Sequence, residues 1–247
     1  MLRSYFAKSW RMWLAIALPL WVLISFYGAM AMLQGMLWLL ISTGLSFDGV
    51  NRAVIETSIA GVVYVLALAI TVGVPWLMYR RTTSRKVMGL QALPTWKDLG
   101  LAPLGFVLYL IVSSALVYMI SQLVPWLDLT QAQEVGFTDL SQRFEYFLAF
   151  LSLVLIAPVA EEALFRGYLY GKLRNTVPIW VAILIVSTVF AVIHGQWNVG
   201  IDVFILSVVA CVLREVTGGI WAGILLHMLK NGLAFYLLFI NGAYLVK

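Results

Sequence analysis

The sequence predicts an all-α, polytopic helical membrane protein with about seven transmembrane helices. Three observations predict it. Of the 247 residues, 63% are hydrophobic and only 11% are Asp, Glu, Lys or Arg, whereas a soluble domain carries roughly 25% charged residues. A chain of this length has too little interior to hide so much apolar surface, so lipid must replace water around most of it. A mean hydropathy of +0.97 and ten Trp agree. Apolar runs also recur at about the 20-residue length that crosses a hydrocarbon core. The same composition excludes a disordered or low-complexity chain. The single cysteine, Cys211, excludes an internal disulfide framework and a Cys-only metal site. A net charge of +5 would suggest nucleic acid for a soluble protein, but here the basic residues need only sit at the lipid surface, and no nucleic-acid partner is expected.

Taken in order, spans are expected at 13–41, 53–79, 102–127, 144–171, 178–197, 199–216 and 219–241. The first opens with Arg3, Lys8 and Arg11 and then runs uncharged to Asp48. Ala29-Met30-Ala31 mimics a signal-peptidase site, but the apolar run continues well past it, so the segment is expected to stay attached. Basic residues in the connections orient the chain. With the N-terminus in the cytoplasm, the cytoplasmic segments hold 12 of the 16: three at the start, five between 80 and 97, three at 166–174, and Arg214. Arg52, Arg143 and Lys247 fall outside, and Lys230 lies within a span. The outer connections hold Asp48, Glu56, Asp128, Glu134, Asp139, Glu145 and Asp202. The polar stretch 128–143 divides the chain into an accessory N-terminal region, 1–143, with about three helices, and a helical core, 144–247. No internal repeat or Gly-Ser linker is evident.

Everything chemically suggestive follows residue 144. Ionisable side chains within a bilayer cost about 2.5–3.5 kcal/mol each on insertion scales. The pair Glu161-Glu162 nevertheless sits near the middle of its span, ahead of Arg166. At about 100° per residue, Glu162 and Arg166 lie one helical turn apart and can pair, while Glu161 points elsewhere. Pro158 removes a helix hydrogen bond just before the pair, so a bend is expected there. Both histidines of the chain, His194 and His227, also fall in spans, and His227 shares a helix face with Asn231. Counting from the polar turn 172–176, antiparallel helices would bring Glu161 and His194 level.

Each residue taken singly has a structural explanation. Glu161, Glu162 and Arg166 suit an ion-pair cluster fixing helix packing, His194 a hydrogen-bonded histidine, and His227 with Asn231 interhelical glue. Lys230 suits a snorkelling side chain. Their conjunction in three spans suits an active site better. A carboxylate in a low dielectric has the proton affinity of a general base or acid near neutral pH, and a histidine beside it can orient the same water. A second histidine and an amide can donate to an oxyanion. Alternatively Glu161, His194 and His227 can bind a divalent metal, zinc first, that activates the water. Either route hydrolyses an amide bond in or next to the membrane. There is no His-Glu-x-x-His motif, no mid-span aspartate pair and no Gly-x-Ser-x-Gly elbow.

Glu161-Glu162-x-x-x-Arg166, Phe190-x-x-x-His194 and His227-x-x-x-Asn231, in that order on successive spans, resemble the CPBP family of CAAX-prenyl and bacteriocin-processing (Abi-type) intramembrane proteases. The resemblance covers roughly residues 144–240 and includes the continuation Phe165-Arg166-Gly167. It implies a helical membrane protease whose site opens from the bilayer, acting on a membrane-embedded or lipidated peptide or protein. Glu161 would be the water-activating base and His194 its partner. His227 and Asn231 would support the oxyanion or, with Glu161 and His194, a metal. Glu162 and Arg166 would brace the site. The family is commonly labelled metalloprotease, although a metal-free glutamate mechanism is also proposed for its prenyl-protein members. The expected setting is a prokaryotic cell membrane. A second function class is a proton- or ion-coupled transporter with Glu161 as its ion site, and a third is a membrane scaffold that keeps these residues for packing.

Overall fold

The computed structural model describes residues 2–44, 52–129, 140 and 142–241. The outer acids Asp48, Glu134 and Asp139 and the terminal Lys247 lie outside the described residues. Every described element is helical: α1 (Leu2–Ser42), α2 (Arg52–Tyr79), the single turn α3 (Arg85–Met88), α4 (Trp96–Leu123), a long run from Arg143 to Leu173, α8 (Ile179–Val192), α9 (Trp197–Thr217) and α10 (Trp221–Phe235), which a π-helical turn extends over Tyr236–Ile240. Within the long run, α5 (Arg143–Phe150), α6 (Ala157–Glu162) and α7 (Tyr170–Leu173) alternate with π-helical stretches at Leu151–Ile156 and Ala163–Leu169.

All seven expected spans are helices, but they are not alike. Among the described residues, five helices are long and apolar enough to cross a membrane, in α1, α2, α4, Arg143–Leu173 and Trp221–Ile240. At 14 residues, α8 extends only about 21 Å, short of a roughly 30 Å hydrocarbon core. Helix α9 is long enough but carries Asp202, Arg214 and Glu215. Asp202 is therefore not in an outer connection, where the sequence pattern puts it, but on the second turn of α9. There it accepts hydrogen bonds from Tyr109 Oη at 2.5 Å and Ser113 Oγ at 2.7 Å, one turn apart on α4.

Two compact units form. The first gathers Met1–Leu23, Thr83–Gln133 and Glu162–His227. In it α9 packs on α8 and on α4, and Tyr109, Ile205, Leu206, Val209, Leu213 and Leu226 make the core. The segment before α4 is stitched to the α9–α10 turn by Ile220 N–H donating to Gly89 O, Gln91 Nε2 to Gly218 O and Trp221 Nε1 to Ala92 O. Thr95 and Asp98 cap α4 reciprocally. Gly171 lies so close to this segment that a Cβ would sit 2.1 Å from Val87 O.

The second unit gathers Ile24–Thr82, Glu134–Glu161 and Met228–Lys247. Here α2 packs on α5 and on the following π-helical stretch, and Ala149, Val154 and Phe235 form a small core with Tyr146 and Phe239 around it. The expected bend at Pro158 takes the form of wide turns. Pro158 has no N–H to give, and just before it Ala157 N–H reaches five residues back to Ser152 O. Large apolar side chains stay exposed along α1 and α4, among them Trp38, Ile111 and Tyr118. They form the surface that lipid covers.

Candidate active site

In the first unit, Glu162 is the hub. It is fully buried, as is Arg166. Four residues of separation bring Arg166 Nη1 to 2.8 Å from Glu162 Oε1. The same oxygen lies 3.1 Å from Nδ1 of the buried His227 on α10. A carboxylate facing Nδ1 assigns the proton to that nitrogen, so the ring's reactive edge is Nε2. Gly223, one turn before His227, makes room for this contact, because a Cβ there would come within 3.0 Å of Glu162 Oε2.

Phe190, on the last full turn of α8, joins the remaining pieces. Its ring lies under the Arg166 guanidinium at 4.4 Å, a favourable cation–π geometry. It also meets the His227 ring edge-on at 6.0 Å and the His194 ring at 4.9 Å. His194 lies just beyond the end of α8, in a turn closed by Gly195 at φ +71°. Its Nδ1 is 2.7 Å from Phe190 O. That carbonyl can only accept, so Nδ1 carries the proton and the lone pair is at Nε2. Ala191, Val192, Gly195, Gln196 and Trp197, on either side of His194 in sequence, line an apolar cavity of about 390 Å³ together with Phe204.

The structure thus brings Glu162, Arg166, His194 and His227 together around Phe190. Glu161 and Asn231 belong to the second unit. Glu161 is buried on α6 with a side-chain hydrogen bond to Tyr64 of α2. Asn231 Nδ2 donates to Leu153 O at 2.9 Å. Sequence reasoning passed over three partners: Tyr64 beside Glu161, Gly223 beside Glu162, and Cys211, whose thiol lies against Arg166. A tyrosine in an apolar helix and a glycine among many carry no signal of their own. Cys211 is buried on α9, three residues before Arg214.

Among the described residues, no group of three or more His, Cys, Asp or Glu side chains could hold a metal ion.

Comparison with known proteins bears on the same segment. Residues 143–233 match the family model for Rce1-like proteins, described as type II CAAX prenyl endopeptidase Rce1-like. A relative from Escherichia coli, an uncharacterized 24.3 kDa protein, is 30% identical over 89 residues, which cover 34% of this chain and 41% of that protein. The chain therefore matches less than half the length of that relative. No solved structure matches.

Proposed function

Because residues 143–233 match the Rce1-like type II CAAX prenyl endopeptidase model, we propose that this multi-pass membrane protein is an intramembrane endopeptidase. Its substrate would be a membrane-embedded or lipidated peptide or protein. The observation that carries the proposal is the division of labour between two adjacent buried carboxylates. Glu162 is occupied by Arg166 and His227. It therefore serves as an anchor that fixes the His227 ring. Glu161, hydrogen-bonded to Tyr64 rather than to an arginine, is the base in this reading.

In this reading Glu161 takes a proton from water as the water attacks the scissile carbonyl, and the lone pair at His194 Nε2 accepts the water's other hydrogen bond. His227 steadies the oxyanion with a hydrogen bond from the ring that Glu162 holds in place. The amide of Asn231 adds a second donor. The proton held by Glu161 then goes to the leaving amine. Glu162 and Arg166 act by positioning. A transporter using Glu161 as its ion site is not favoured, since the family model that matches the segment carrying Glu161 describes endopeptidases.

The test compares peptide termini across the membrane proteome of cells expressing wild type or Glu161→Gln at matched levels. The expected result is a set of termini present only with wild type, which would also identify substrates. Identical profiles from two folded proteins would overturn the proposal. Proton-coupled uptake in liposomes would then be the next measurement.

A further inference from the structure

Away from this site, the first unit has a second pocket of about 240 Å³, lined by Lys86, Val87, Gly171, Arg174, Asn175 and Arg214. At ~30 Å³ per water, it has ample room for a phosphate group. Arg214, on the last turn of α9, is 2% exposed. Its guanidinium donates to Gly218 O and, at 3.3 Å each, to Lys86 O and Val87 O. Its Nε is buried with no hydrogen-bond partner. A buried charged donor without an acceptor is costly, and an anion supplies both the acceptor and the charge.

The charge balance points the same way. The carboxylate paired with the pocket's Arg174, Glu215, already has both oxygens engaged: Oε2 with Arg174 Nη2 and Oε1 with Tyr170 Oη, each at 2.8 Å. Glu215 balances Arg174, so Arg214 and Lys86 remain in excess. The walls come from 80–97 and 166–174, two of the basic stretches that orient the chain. Basic pockets between helices on the cytoplasmic side of a membrane are suited to anionic headgroups.

We propose that the Lys86–Arg174–Arg214 pocket binds a phosphate-type anion at the cytoplasmic surface, either an anionic lipid headgroup or inorganic phosphate. This proposal does not depend on the protease reading. The full chain, purified in neutral detergent and depleted of lipid, would be examined by native mass spectrometry with phosphatidylglycerol, phosphatidylcholine and inorganic phosphate. Wild type is expected to retain one phosphatidylglycerol in clear preference to phosphatidylcholine. Lys86→Gln and Arg174→Gln should each weaken retention about fivefold. Glu215→Gln, which removes the competing carboxylate, should strengthen it. Arg214→Gln also loses three backbone contacts, so the exposed Lys86 serves as the variant that leaves the fold alone. Displacement of the lipid by inorganic phosphate would identify the free ion as the ligand, and resistance to displacement would identify the headgroup. Equal retention of the two lipids with no phosphate adduct would overturn the proposal. Retention unchanged in Lys86→Gln and Arg174→Gln would overturn it as well.

Discussion

Glu162 Oε1 serves two cationic or proton-bearing neighbours at once, Arg166 and His227. Removing one partner of a buried ion pair leaves the other charge uncompensated, at about 3–5 kcal/mol, whereas removing both can be far milder. Arg166→Leu and Glu162→Leu should therefore each lower thermal stability in detergent substantially, and the double variant should lose much less than the sum. Additive losses in that cycle would show that the pair is not coupled. The proposed mechanism, in which Glu161 activates the water directly, gives a second expectation. The purified protein should keep the proposed activity in chelator and carry no stoichiometric zinc by elemental analysis. Loss of activity that zinc restores would instead assign Glu161, His194 and His227 as ligands. The ionic side of this site was legible in the sequence because charged residues are rare in the spans and the Glu162–Arg166 spacing matches one helical turn. The contacts of Phe190, Gly223 and Tyr64 were not. They depend on where the helix axes pass each other, and an apolar ring or a missing Cβ advertises nothing in one dimension.

At the scale of elements, the clearest constraint is the meeting of Gly171 with the turn around α3. A Cβ at Gly171 would fall 2.1 Å from Val87 O, a backbone atom that cannot swing aside. Ser84 caps α3 at one end and Gly89 closes it with φ +70°, so the turn has little freedom to retreat. Gly171→Ala should therefore cost about 1–3 kcal/mol by overpacking, read as a drop in the unfolding midpoint. Gly73→Ala on α2, where a Cβ would meet nothing within 4 Å, is the control and should be nearly neutral. The existence of each helix could be read from apolar runs, since lipid-facing helices need little else. The π-helical turns on either side of Pro158 could not, because a missing N–H marks where a ladder must adjust without saying whether it bends or widens. The placement of Asp202 was misread for a related reason: a lone acid near the end of an apolar run looks like a loop residue until Tyr109 and Ser113 are known to face it.

For the whole molecule, composition alone fixed the class, since so apolar a chain has only lipid for surroundings. Its helices nevertheless differ in how they enter that lipid. Helices α1, α2 and α4 are apolar enough to partition on their own, whereas α9 brings Asp202, Arg214 and Glu215. Charged side chains in an isolated span oppose its insertion. The hydroxyls that satisfy Asp202 belong to α4, 93 and 89 residues earlier in the chain, so the ribosome delivers them first. The order of the chain is thus also an order of biogenesis, in which α4 waits in the bilayer as the receptor for a helix that inserts poorly alone. In a glycosylation-reporter assay, α9 alone should insert inefficiently. It should insert more completely behind α4, and that gain should shrink when Tyr109→Phe and Ser113→Ala are combined.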